Sequence, residues 1–244
     1  MYKKPPILAL LASLTLSGAA HAALLDRGGG LIYDTDLDVT WLQDTNYAKT
    51  SGYDVDGQMT WEEATTWAAN LVFHDSVRNV DYSDWRMPFL PYDNDSICSN
   101  SAYSGGICGY NVDPTTGGEM AHLFFAELGN KSKYTSTGGL QADSGLVNTG
   151  SFINFQRSGY WFAGANMTFG PMAADIQPWL FEAWSGRQLV AKTSYVMFGH
   201  KYENYQYALA VRSGDVAAVP EADTWAMLLA GLGLIGAVTR RRRE

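Results

Sequence analysis

The chain has 244 residues, with 17 Lys and Arg against 25 Asp and Glu, a formal net charge of −8. That balance excludes a surface built for nucleic acid or anionic lipid, since both need clustered cations. Hydrophobic residues reach 46% and charged residues only 17%, with 25 Gly, which excludes a disordered chain and favours strands and loops over a helical bundle.

The first 22 residues read as a secretory signal peptide. Lys3 and Lys4 supply its positive start, and residues 7–16 an apolar core too short to cross a bilayer. Ala20 and Ala22 flank His21 in an A-x-A cleavage site. Residues 23–218 contain neither a Pro/Ser-rich linker nor an internal repeat, so they read as one domain.

Within that domain, 31–33 and 39–42 read as short strands joined by an acidic turn. Thr60 and Glu63 form a capping box that opens a helix running to about residue 72, with Trp61, Ala64, Trp67, Ala68 and Leu71 as its buried stripe. A second helix is expected over 118–128, with Met120, Leu123, Phe124 and Leu128 on one side and Gly129 just past its end. Strands follow at 159–165, 179–185, 188–191, 195–198 and 206–211, the last marked by the alternation of Tyr205, Tyr207, Leu209 and Val211. Two helices with a mostly antiparallel sheet predict an α+β class.

The stretches GLIYD and TWLQDTNYA, then MTWEEATTWA, DWRMP, EMAHLFFAELG and ALAVRSGD resemble the Lcl C-terminal-domain family, a domain of unknown function, over nearly all of 23–218. That resemblance implies a distant relation to C-type-lectin-like and formylglycine-generating-enzyme-like folds. The family takes its name from a bacterial adhesin that binds sulfated glycans. This domain is too poor in Arg and Lys for that preference to carry over.

The other end of the chain is a second address. Val219, Pro220 and Glu221 precede an apolar run, 224–239, which would span about 24 Å as a helix. Arg240, Arg241, Arg242 and Arg243 follow and would hold the C-terminus in the cytoplasm. This order resembles the PEP-CTERM sorting signal, with Ala222 where the second proline usually stands. The resemblance implies export, a transient inner-membrane tether through 224–239, and processing by an exosortase that leaves the protein at the cell surface or in the extracellular matrix. Six of the basic and three of the acidic residues lie in the two ends, so 23–218 carries 11 basic against 22 acidic residues.

Chemistry is harder to find. Cys98 and Cys108, in an exported chain and without zinc or redox spacing, read as a structural disulfide. His74, His122 and His200 form no metal-binding or catalytic pattern and read as structural. Asp34, Asp36 and Asp38 fail the EF-hand pattern, because Val39 stands where Gly is needed and Thr45 where Glu is needed. Asp54 and Asp56 lie in an oxygen-rich loop that suits either calcium or ordinary turn bonding. No other cofactor is expected. Tyr160, Trp161, Trp179 and Trp184, with Asp175, Glu182 and Arg187 as polar partners, are candidates for a sugar-binding surface, the alternative being core packing.

These features point to a non-catalytic binding or adhesion module associated with glycans, with neutral exopolysaccharide as the expected partner. The alternatives are a purely structural matrix protein and a glycan-modifying hydrolase using two acidic side chains.

Overall fold

The computed structural model describes residues 24–90, 99–103, 105–163, 177–198 and 200–216. In chain order the strands are β1 (Leu24–Gly28), β2 (Leu31–Asp34), β3 (Val39–Leu42), β4 (Phe73–Asp75), β5 (Val80–Tyr82), β6 (Gly109–Tyr110), β7 (Gly159–Trp161), β8 (Trp179–Glu182), β9 (Arg187–Val190), β10 (Ser194–Met197), β11 (His200–Glu203) and β12 (Val211–Ser213). The helices are α1 (Tyr47–Thr50), α2 (Trp61–Asn70) and α3 (Glu119–Ala121), which runs directly into a π-helix, His122–Glu127. Few helices and several antiparallel sheets make a mixed α+β fold weighted to β.

One four-stranded antiparallel sheet has the order β1-β2-β3-β12, and the other β6-β9-β8-β7. Strands β4 and β5, and β10 and β11, form separate hairpins. The last described strand therefore completes the sheet that the first one opens. An Arg27–Asp215 ion pair holds these two ends of the domain together.

Strands β2, β3, β7 and β8 are covered on both faces. In β2 and β3, Ile32, Val39 and Trp41 point into one core, while Leu31 and Leu42 point into the other. The register fits this division, pairing Ile32 with Trp41 and Leu31 with Leu42. Strands β7 and β8 divide in the same way, with Tyr160, Trp179 and Phe181 on one side and Trp161 and Leu180 on the other. Side chains alternate across a strand, so a sheet between two cores needs a continuous apolar run rather than apolar–polar alternation. The first core holds the π-helix, and the second holds α2.

Helix α2 begins as expected. Thr60 Oγ1 accepts from the Glu63 backbone N–H at 3.2 Å, and the Thr60 N–H donates to Glu63 Oε2 at 2.9 Å. It ends at Asn70, earlier than expected, because Leu71 turns extended to lead into β4. The helix expected over 118–128 holds α-geometry only through Ala121, and then winds as a π-helix. Gly129 follows in the left-handed conformation, φ +62°, as its expected position after the helix requires.

Three expected strands are shorter or displaced. The strand from 159 ends at Trp161. The strand from 179 ends at Glu182. Over 206–211 the chain makes only isolated bridges, at Gln206 and Tyr207, before β12 starts at Val211. Here Ala208, Leu209 and Ala210 are all buried, because this segment too runs between the two cores.

Asp75 in β4 is fully buried against the Arg78 guanidinium, which also donates to the Arg27 carbonyl at 2.7 Å. Burial raises the Asp75 carboxyl, but the Arg78 side chain and the Val77 and Arg78 N–H groups outweigh that effect and hold it below its ordinary value. A depressed folded-state pKa stabilises the protein above the unfolded value and loses that contribution as pH falls through the folded one. Acid unfolding followed by circular dichroism is expected to be shallower on its acid limb in Asp75→Asn than in the parent chain. Thr60→Ala is expected to cost about 1 kcal/mol in denaturant unfolding, the usual loss for a helix cap.

Candidate functional site

The side chains expected to face a sugar divide into two groups. Tyr160, Trp161 and Trp179 are 0% exposed, which corrects their expected place on a binding surface. They belong to β7 and β8, whose two faces are both covered by the cores. Two of them bond inward through their polar atoms: Trp161 Nε1 donates to the Met59 carbonyl at 2.9 Å, and Tyr160 Oη accepts from the Gln156 N–H at 2.9 Å. Burial pushes the Tyr160 phenol well above its ordinary pKa. Asp175 lies outside the described residues.

Glu182, Trp184 and Arg187 do come together, at the turn from β8 to β9. Arg187 Nε donates to Glu182 Oε2 at 2.9 Å, and Ser185 Oγ donates to the same oxygen at 2.8 Å. This pairing raises the Arg187 pKa. Trp184 is 40% exposed.

The structure adds neighbours that the sequence reading missed. Strand β6 pairs with β9, setting Tyr110 opposite Arg187, whose guanidinium lies 5.7 Å from the Tyr110 ring centre. Tyr110, Tyr134 and Tyr103 form a cluster with ring centres 4.8–5.7 Å apart. Lys133 Nζ stands 5.3 Å from the Trp184 ring and 5.5 Å from the Tyr134 ring. Trp184, Lys133, Tyr134 and Tyr103 thus make an aromatic ridge with partial solvent access.

Beside the ridge lies a cleft of about 260 Å³ that Asn111, Lys131, Ser132 and Gln141 help to line. Asn111 Nδ2 donates to the carbonyls of Tyr103 and Tyr134 at 2.9 Å each, and Gln141 Nε2 to that of Tyr134 at 2.9 Å. These amides hold the two tyrosine loops in place. The only trace of this in the sequence is that Tyr103 and Tyr134 lie near Gly and Ser residues; nothing local joins them to Trp184.

The Asp54 and Asp56 carboxylates bond within their own loop. Asp54 Oδ1 accepts from the N–H groups of Asp56 at 3.0 Å and Gly57 at 2.6 Å. Asp56 Oδ1 accepts from the Gln58 N–H at 2.9 Å, and this bond leads the effects that lower the Asp56 pKa. This is the bonding of Asx turns. Cys108 is buried, and Cys98 lies outside the described residues.

A second cluster joins Asp34, His122 and Glu127, whose ligand atoms all lie within 4.8 Å of one another. Asp34 closes the turn after β2, with Oδ1 accepting from the Asp36 and Leu37 N–H groups at 3.1 Å each and Oδ2 from Trp41 Nε1 at 3.4 Å. His122 Nε2 is 3.2 Å from Glu127 Oε1 and 3.8 Å from Asp34 Oδ1. Burial pushes the Asp34 carboxyl above its ordinary pKa, against the Leu37 N–H and the His122 ring. Glu127 is raised too, first by burial and then by the Asp34 charge.

Residues 218–243 match the PEP-CTERM protein-sorting motif. The match indicates an exported, exosortase-processed protein that passes through a membrane-anchored stage to the surface. Val219, Pro220, Glu221, Arg240–Arg243 and the apolar run 224–239 lie outside the described residues, as do Ala20 and Ala22. Among the described residues no helix is long and apolar enough to cross a membrane. No curated protein and no solved structure matches the chain.

Trp179→Ala is expected to destabilise the domain by about 3–5 kcal/mol, as loss of a buried Trp does. Trp184→Ala is expected to change stability by no more than about 0.5 kcal/mol, a surface value. Parallel urea titrations give both figures.

Proposed function

We propose that this chain is an exported, non-catalytic surface or matrix module that holds neutral exopolysaccharide on the ridge of Trp184, Tyr134 and Tyr103. The observation that carries this reading is the exposed Trp184 and Tyr103, joined through Lys133 and Tyr134, beside a cleft that Asn111, Ser132 and Gln141 help to line. Aromatic faces stack on the apolar faces of sugar rings, and amides and hydroxyls supply the directional bonds. The excess of acidic residues over 23–218 disfavours polyanionic glycans and leaves neutral ones. The sorting motif supports the export and passage to the surface that this reading requires. The resemblance of 23–218 to the Lcl C-terminal domain, with its distant lectin-like relation, points the same way.

Affinity electrophoresis through the producing cell's own exopolysaccharide tests this. The parent chain is expected to be retarded, and Trp184→Ala with Tyr103→Ala to lose most of that retardation while melting near the parent temperature. Equal mobility of both proteins with and without polysaccharide would overturn the reading, leaving a matrix protein without a specific ligand.

A further inference from the structure

Among the described residues, Asp34 and Asp75 are both 0% exposed, but their surroundings differ. Asp75 meets the Arg78 guanidinium. Among the described residues Asp34 meets neither Lys nor Arg; its one ion-pair partner there is His122, which also meets a second buried carboxylate, Glu127. The Asp34, Glu127 and His122 side chains are 0%, 2% and 10% exposed. Two carboxylates held this close and this dry repel one another and lose their hydration, and one imidazole offsets at most one of the charges.

The backbone is wound to create this arrangement. In an α-helix, at 3.6 residues per turn, positions 122 and 127 would stand about 140° apart. The π-helix closes bonds between residues five apart, as between the Leu128 N–H and the Leu123 carbonyl at 3.0 Å, and sets His122 and Glu127 side by side. π-Turns of this kind are uncommon and concentrate at functional sites.

We infer that Asp34, His122 and Glu127 form a binding site for one divalent transition-metal ion of the zinc class, with water in the fourth position. One imidazole and two carboxylates are ligands such an ion takes, at about 2.0–2.2 Å, which places donor atoms about 3.4 Å apart around a tetrahedron. His122 Nε2 stands 3.2 Å from Glu127 Oε1 and 3.8 Å from Asp34 Oδ1, near that value, and the three ligand atoms lie within 4.8 Å of one another, so small side-chain shifts admit the ion. A carboxylate offers about four lone-pair sites; on Asp34 two N–H groups occupy Oδ1 and one occupies Oδ2, so the site left for the metal is the second lone pair of Oδ2. Those N–H groups, the Trp41 indole included, are the outer shell that holds a metal-binding carboxylate in orientation. Calcium fits poorly, since it takes six to eight oxygen ligands and the central donor here is nitrogen. The ion would tie the β2–β3 turn to the π-helix, stabilising the folded domain by mass action. It needs no glycan and is independent of the proposed binding ridge.

The test uses the full-length chain in detergent, stripped with chelator and then loaded with zinc. One zinc per chain after gel filtration and a higher melting temperature are expected, with calcium giving neither. Cobalt in place of zinc is expected to give the visible absorption of a four-coordinate site. His122→Gln and Glu127→Gln, checked for folding by circular dichroism, are expected to lose stoichiometric zinc. Zinc retained unchanged in both folded variants would overturn the assignment. So would a folded parent chain that keeps no zinc and melts at one temperature with or without it, in which case the triad is only a hydrogen-bonded acid cluster. The 15N shift of the His122 ring on zinc addition to the parent chain decides the matter even where a variant does not fold, since an unmoved resonance refutes the site.

Discussion

The structure rests on burying four strands from both sides. Strands β2 and β3 in one sheet and β7 and β8 in the other send successive side chains into two different cores. Trp41, Trp161 and Trp179 are all fully covered there. Large rings supply the apolar area that a domain of this size needs, but their N–H groups must also be bonded. Trp161 uses the Met59 carbonyl and Trp41 uses the Asp34 carboxylate. The second of these bonds runs from the core to the cluster of Asp34, His122 and Glu127.

This arrangement decides where binding chemistry is available. Residues on strands covered from both sides cannot meet a ligand, so aromatic contacts with the outside fall to turns and loops. Trp184 is exposed because it belongs to the β8–β9 turn, only five residues from the buried Trp179. Tyr103 and Tyr134 reach it through β6–β9 pairing and the amide bonds of Asn111. The buried charges follow the same logic. Asp75 is neutralised by Arg78, whereas Asp34 and Glu127 share a single histidine.

Local signals were legible where local physics decides. The capping box at Thr60 and Glu63, the strand at 39–42 and the left-handed Gly129 all follow from bonding or sterics within a few residues. The π-winding after Ala121 was not legible, because the apolar spacing of Met120, Leu123 and Phe124 suits an α-helix equally well. His122 looked like an isolated histidine for the same reason: its partners are five residues ahead in an unusual helix and 88 positions back in a turn.

The sequence by itself determined the C-terminal sorting motif, the acidic balance of the domain, its α+β character and the start of its main helix. Each depends on composition or on neighbours within a turn. Only the tertiary structure decided which aromatic residues are core and which are surface, since a Trp in an apolar run has the same local pattern in either place. It alone joined Trp184 to Tyr134 and Tyr103, and Asp34 to His122 and Glu127. Both groupings are set by strand pairing and helix winding across long stretches of chain, and neither leaves a periodic trace in the order of residues.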